Sequence, residues 1–380
     1  MIINFNPTNI LMTLKDFKTT RERRSFLEKE LKIKLDNVTK AHVDDEKTIH
    51  CENLIGSTIL PLGVAGPLKI GQKQYYLPLA TTEGALVASV SRGFKAINLS
   101  GGATSFVENV GVTRGPVFET SSLSESFKFK KWLDENFDLI KKEAEKTSSH
   151  LKLKKLGTRI VGTYVYVRFY FDTQDAMGMN MATIATEKIS QFIQNNTDIQ
   201  CLTVSGNFCI DKKPAWLNFI AGRGKKVSTE VVLKKEVVKE TLKTTPEKFF
   251  EVWLAKCMIG SAMSGSLGFN AHFANIVAAF YAATGQDLAH VVEGSMGMTT
   301  SKVLKNGDLY ISVYLPAVMI GTVGGGTKLK TKQEALSIIG AKSSMELAEV
   351  LGGAVLAGEI SLLASLSEGS LAETHQKLGR

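Results

Sequence analysis

The chain has 380 residues, 44% of them hydrophobic and 22% charged, which is ordinary for a globular protein and long enough for two or three domains with a sizeable core. The net charge of +9 is modest and scattered through segments such as residues 152–155, 212–213 and 223–226. No aromatic-interleaved basic patch accompanies it, which argues against a nucleic-acid partner. Cys51, Cys201, Cys209 and Cys257 lie far apart without a CxxC pair, as expected of reduced thiols rather than a disulfide frame or a zinc site. The N-terminus has no apolar segment after a basic start, so no signal peptide is expected, and the location is read as cytoplasmic.

Residues 1–51 read as a small helical domain, with leucines and phenylalanines at helical spacing from Asp16 to Leu35. Glycines and prolines punctuate short apolar strands over 52–68. A strand is expected over 74–79 and a helix over 80–99, opened by Thr81-Thr82 with Glu83 in its first turn. The apolar neighbours of Glu83 point to a buried turn, in which a carboxyl keeps its proton more readily. Residues 115–208 follow the order β-α-β-β-α-β, that of a ferredoxin-like unit, inserted into a larger domain made of 52–114 and 209–380. The turn DTQDAMGMNM before its second helix has glycine and amides at a helix N-terminus, a plausible seat for phosphate or ribose. Ser205, Asn207 and Asp211 then accompany the paired Lys212-Lys213, which suits an oxyanion and carboxylate receptor.

Residues 257–286 carry no Lys, Arg, Asp or Glu. The run is long enough to cross a membrane, but its serines, asparagines and histidine are costly in lipid. We therefore expect no membrane span and a buried central helix about 40 Å long. Asn270, His272 and Asn275 along it need partners, and with Gln286-Asp287 they mark a working surface. The later cluster GTVGGGT (321–327) is no Walker loop, and no GxGxxG occurs, so any dinucleotide binds outside a Rossmann frame. No His/Asp/Glu cluster has ligand spacing, so no metal is expected.

The motifs ENLIG (52–56), GVAGPL (63–68), TTEGALVAS (81–89), TRGP (113–116), DAMGMNM (175–181), SGNFCIDKKP (205–214), GFNAHFANIV (268–277), GQD (285–287) and GTVGGGT stand in this order. In them the chain resembles the 3-hydroxy-3-methylglutaryl-coenzyme A (HMG-CoA) reductases, class I, in their soluble archaeal-like form. The resemblance implies an α+β fold: a large α/β domain around a long central helix, a small helical N-terminal domain, and the ferredoxin-like insert as NADP-binding domain. It implies a homodimer with shared active sites and ENLIG at the interface. By position, Glu83, Lys212, Asp287 and His375 match the catalytic set. Arg114, Ser205, Asn207, Lys213, Lys256 and Asn275 match substrate contacts, and Arg92 a coenzyme A contact. Asp175, Met177, Gly178, Met179, Asn180, Gln286 and Gly324 match cofactor contacts. Ser148-Ser149-His150 stand where the family often has Ser-Arg, with Lys152, Lys154 and Lys155 close by, and Ser91 stands where asparagine is usual.

The implied reaction reduces (S)-HMG-CoA to mevalonate and coenzyme A with two NADPH, through a hemithioacetal and then an aldehyde. Each hydride leaves charge on oxygen, which a cation such as Lys212 stabilises. Glu83 is expected to supply protons, Asp287 to bridge and tune the two, and His375 to protonate the departing thiolate. Two rival readings are an NAD-dependent oxidative direction and a non-catalytic coenzyme A or nucleotide sensor. The complete four-residue set speaks against the second.

Overall fold

The structure is a computed structural model and describes residues 14–17, 20–36 and 58–369. Helix α1 (Thr20–Leu31) opens it, and Leu27, Leu35 and Leu14 pack with Ile338 in a small cluster of their own. Strands β1 (Leu62–Ile70) and β2 (Lys73–Ala80) form an antiparallel hairpin. Helix α2 (Leu86–Leu99) follows. It begins later than the expected start near Thr81, because the Thr81 hydroxyl accepts from the Glu83 amide at 3.0 Å and closes a turn of its own.

Strand β3 (Thr104–Arg114) was not expected, and it joins the two halves of the protein. Its first part pairs with β8 (Gly224–Leu233), its last three residues with β6 (Tyr164–Asp172), and an irregularity near Gly111 marks the change of partner. The inserted unit runs β4 (Val117–Glu119), α3 (Leu123–Glu135), α4 (Phe137–Glu145), β5 (Lys152–Val161), β6, α5 (Met179–Asn196) and β7 (Gln200–Thr203). Its strands lie in the order β7-β4-β6-β5, all antiparallel, which is the ferredoxin-like arrangement. Phe118, Phe129, Ile140, Phe169, Phe171 and Ile189 close the core between this sheet and its helices.

The larger half continues with α6 (Trp216–Ala221), β8, α7 (Lys235–Glu240) and α8 (Pro246–Trp253), the last capped by Thr245 with proline at its first position. The uncharged run is not one helix. It is a π-helical turn (Leu254–Gly260), a single α turn α9 (Ser261–Met263), the short strand β9 (Gly268–Phe269) and then α10 (Phe273–Thr284). Ser264, Gly265 with φ +67° and Ser266 break it, since the serine hydroxyls bond nearby backbone. Helix α11 (Val291–Gly294), strands β10 (Gly297–Val303) and β11 (Leu309–Val318), and α12 (Lys330–Ile339) lead to α13 (Ser344–Glu368).

The long central helix is therefore α13, capped by Ser343 and stopped by Gly369 in the left-handed region. It is the one described helix long and apolar enough to span a membrane, and most of it is buried within the protein. It packs on α2, α10 and β8, and all these approaches need glycine. A methyl at Gly93 of α2 would collide with the Ala357 carbonyl, one at Gly352 with Thr229 of β8, and one at Gly358 with Ile276 of α10 at 2.6 Å. Gly93→Ala is expected to lower the unfolding free energy by about 1–3 kcal/mol in urea titrations. Gly157→Ala, whose methyl meets nothing within 4 Å, should shift it by less than about 0.5 kcal/mol. Equal effects would contradict this account of the packing.

Candidate active site

The residues after β7 run through three non-glycine positions with positive φ: Asn207 (61°), Ile210 (51°) and Lys212 (57°). Such backbone is costly and persists only where the surroundings impose it. Here they do. The Asn218 side chain donates to the Ile210 carbonyl at 3.0 Å, and the Thr113 hydroxyl donates to the Cys209 carbonyl at 2.8 Å. The Lys212 amide faces the Glu293 carboxylate at 3.3 Å. The imposed turn aims the Lys212 ammonium at Asp287, with Nζ 2.8 Å from Oδ2.

Asp287 caps the turn after α10, accepting from the Ala289 amide at 3.1 Å. Burial works against its charge, but the hydrogen bond from Lys212, the charge of His290 and the Ala289 amide together hold its carboxyl below the usual range. Behind the pair lies a largely buried network. Arg223, counted in sequence among scattered basic residues, is fully buried and bonds Glu293, Asp211 (2.9 Å) and the Thr113 hydroxyl (3.0 Å). His290 Nδ1 lies 2.7 Å from Glu293, and Arg114 pairs with Asp211 at 3.6 Å. Sequence reading passed over Arg223, His290 and Glu293. The spacing of His290 and Glu293, three apart on one helical face, was the available signal. Asp211, His290 and Glu293 are close enough to hold a metal ion, and the Arg223 guanidinium already bonds one oxygen of each carboxylate.

Glu83 is exposed in the turn before α2, not buried as expected, and its carboxylate accepts from the Asn275 amide at 2.9 Å. No hydrogen bond or ion pair joins this pair to Lys212 and Asp287, so Asp287 does not bridge Glu83 and Lys212 within one chain. The reason is α10 itself. Asn275 sits near its start and Asp287 follows its end, about 14 Å along the axis from 275 to 284.

Lys256 projects from the π-helical turn onto a cavity of about 490 Å³. Ser264, His272 and Pro214, next to Lys213, also line it. Lys213, Ser205 and Asn207 are exposed on the same imposed loop, with the Lys213 ammonium 3.2 Å from the Asp211 carbonyl. The buried Glu359 of α13 holds the far wall. It accepts from the amides of Ala271 (2.8 Å) and His272 (2.7 Å) and from the Thr299 hydroxyl (2.6 Å). Arg92 is committed within the protein, to the Ser365 hydroxyl, the Leu242 carbonyl and Glu368.

The glycine and amide turn of the inserted unit docks on the 321–327 loop. The Thr322 amide donates to the Asp175 carbonyl at 2.8 Å, Ala176 bridges Val323, and a methyl at Gly321 would collide with the Met177 amide. Asp175 also accepts from the Ser344 amide at 2.7 Å. Gly178, with φ +88° and no room for a Cβ against Thr173, caps α5, and Met179 and the exposed Asn180 begin that helix. Gly324 is open, with nothing within 4 Å of an added Cβ. Gln286 is buried, and its amide donates to and accepts from the Gly321 backbone at 2.9 Å each. It holds the loop on which the turn docks. His375 and the ENLIG stretch lie outside the described residues.

The structure is a mixed α+β scaffold that carries a lysine–aspartate pair on an imposed turn and a glycine-lined helix start. The family model described as Hydroxymethylglutaryl-coenzyme A reductase matches residues 19–380, and the chain belongs to that family. It is 48% identical over 373 residues to the 3-hydroxy-3-methylglutaryl-coenzyme A reductase of Methanothermobacter thermautotrophicus, covering 96% of this chain and 94% of that one. With the reductase of Methanocaldococcus jannaschii it shares 48% over 376 residues, covering 95% and 93%. A solved structure of the class II reductase from Streptococcus pneumoniae, bound to NADPH in open conformations, superposes with TM-score 0.77 at 19% identity over 93% of this chain and 98% of that one. It is a likeness of fold.

The two ion pairs should differ sharply in energetic worth. Lys212 and Asp287 are 40% and 36% exposed, so Asp287→Asn should cost less than about 1 kcal/mol of stability at neutral pH. A carboxyl with a depressed value stabilises above its unfolded pKa, and that contribution fades as pH falls through the folded one. The difference between Asp287→Asn and the parent should therefore shrink toward pH 3. Glu293→Leu leaves Arg223 buried beside fewer anions and should cost about 3–5 kcal/mol. Urea titrations across pH test both, and a larger cost at Asp287 than at Glu293 would contradict the assignment.

Proposed function

We propose that this chain reduces (S)-HMG-CoA to mevalonate and free coenzyme A at the expense of two NADPH. Family membership carries the reaction. The observation that carries the assignment of residues is the 2.8 Å contact between Lys212 and Asp287 on a turn whose backbone strain has no other evident use. NADPH supplies the hydride for each reduction. Its seat is read as the turn holding Asp175, Met177, Gly178, Met179 and Asn180, with Gly324 opposite. A cradle with no room for a Cβ, opening the 18-residue helix α5, suits a pyrophosphate. Lys154 and Lys155 are engaged by the Asn109 carbonyl and the Tyr170 ring, and His150 by the Gln174 side chain at 3.0 Å, which leaves Lys152 as the cation read as meeting a 2′-phosphate.

Lys212 stabilises the negative oxygen formed in each reduction, and Asp287 keeps that ammonium in place. Arg114, Ser205, Asn207, Lys213 and Lys256 hold the carboxylate and hydroxyl of the substrate. Arg92 contributes to the coenzyme A side through the surface it braces. Glu83 delivers the proton to the oxygen, and Asn275 orients it. Collapse of the hemithioacetal breaks the carbon–sulfur bond as its hydroxyl proton returns to Glu83, and His375 protonates the thiolate that leaves. The remaining aldehyde takes the second hydride and a second proton. Domain limits of 1–51, 52–114 with 209–380, and 115–208, and a cytoplasmic place, belong to the same reading.

The exposed Glu83–Asn275 pair and the Lys212–Asp287 pair at opposite ends of α10 support a homodimer in which each site takes one pair from each chain. Mass spectrometry and NADPH absorbance should give two NADPH oxidised per mevalonate formed. Lys212→Ala should abolish reduction of both HMG-CoA and free mevaldehyde, since a negative oxygen forms in each. His375→Gln should slow HMG-CoA turnover about 10²–10⁴-fold and spare mevaldehyde, which has no thiolate to expel. A stoichiometry of one, or equal loss of both reactions in His375→Gln, would overturn these roles.

Sharing is tested by mixing two inactive variants, Glu83→Gln and Lys212→Ala, under conditions of subunit exchange. Half the dimers are then mixed, and each mixed dimer holds one intact site of two, so about a quarter of the parental activity should return. No recovery after verified exchange would place both pairs in the same chain's site.

A further inference from the structure

We propose that His290 is a positioning residue of the reduction, fixing the Asp287 carboxylate that in turn holds Lys212. The inference rests on the functional reading above and extends it to a residue that never meets substrate. His290 is fully buried. Its Nδ1 lies 2.7 Å from Glu293 Oε1, a hydrogen bond that sets the plane of the ring. Its Nε2 has no hydrogen-bond partner and lies 3.5 Å from Asp287 Oδ2, the oxygen that Lys212 approaches at 2.8 Å. A buried polar atom without a partner is costly, and a small rotation of the Asp287 carboxylate would satisfy this one.

Glu293 is the fixed point of the arrangement. It is fully buried, bound by Arg223, and faces the Lys212 amide at 3.3 Å. One carboxylate therefore sets both the backbone of Lys212 and, through the His290 ring, the acid that receives the Lys212 side chain. The charged and titratable groups around the ring come from every element that packs on it. Asp287 belongs to its own turn and Glu293 to α11. Arg223 Nη1 approaches at 3.5 Å from the start of β8, and Asp211 Oδ1 at 3.8 Å from the lysine loop. Tyr281 of α10 lies within the same field, its phenol raised first by burial and then by the charge of Glu293. Arg114 reaches the ring only through Asp211.

A side chain that merely filled space would leave Asp287 untouched when replaced by one of similar volume. A positioning residue would not. With purified full-length protein, His290→Ala should lower kcat about 10²-fold for both HMG-CoA and mevaldehyde, with KM for HMG-CoA little changed. His290→Gln, which can still donate to one carboxylate, should recover much of the loss. Carbon-13 NMR of labelled aspartate should show the Asp287 titration midpoint moving up in His290→Ala, since His290 is one of the groups that lower it. The acid limb of the kcat profile should move up with it.

An unmoved midpoint and acid limb would overturn the proposal, as would a kcat loss matched by loss of folded protein in thermal scans, or a glutamine variant no better than alanine. The NMR arm needs no turnover. Absence of mevalonate from the parent protein would instead count against the functional reading, so the two failures can be told apart.

Discussion

The arrangement of this site depends on one buried guanidinium. Arg223 sits at the entry to β8 with no exposure and draws together Thr113 of β3, Asp211 of the lysine loop and Glu293 of α11. Removing charges from water is expensive, and only close pairing and complete hydrogen bonding offset the cost. The network is therefore intolerant of partial rearrangement. That intolerance lets the chain hold Lys212 in a left-handed conformation that a lysine in an ordinary loop would leave. The exposed lysine–aspartate pair contributes little to folding, and the buried ions behind it determine where that pair points.

A second constraint is the depth of α13. Small residues on several faces allow α2, β8 and α10 to approach its backbone, so these elements pack closely against it. Glu359 on the same helix accepts two amides at the start of α10 and so joins packing to the wall of the cavity. Helix α10 then presents Asn275 at one end and Asp287 at the other. A rigid helix of this length holds the Glu83–Asn275 pair apart from the Lys212–Asp287 pair within a chain.

The inserted unit is attached by more than its two chain crossings. Strand β3 pairs with both halves, and the Asp175 turn meets the 321–323 segment through backbone hydrogen bonds. Gln286 fastens that segment directly beside Asp287. A nucleotide on the α5 start would thus lie on a surface mechanically continuous with the Lys212–Asp287 pair.

Much of this was legible in residue order. Alternating strands and amphipathic helices between 115 and 203 determined the βαββαβ succession, because side-chain periodicity is a local property. The motifs around Glu83, Lys212, Asp287 and Asp175 marked the polar residues that a core has no use for. Other features were decided only by tertiary contacts. The uncharged run at 257–286 has the composition of a buried helix, and local serine–backbone bonds with a left-handed glycine divide it. The buried role fell to 344–368, where glycines meet partners distant in sequence. Arg223 read as one more surface cation, since burial of a charge depends on anions 12 and 70 residues away. Glu83 read as buried because its neighbours are apolar, yet one chain leaves it exposed. Pairings of that range have no signature in a local window, because they exist only once the sheet and its covering helices have closed.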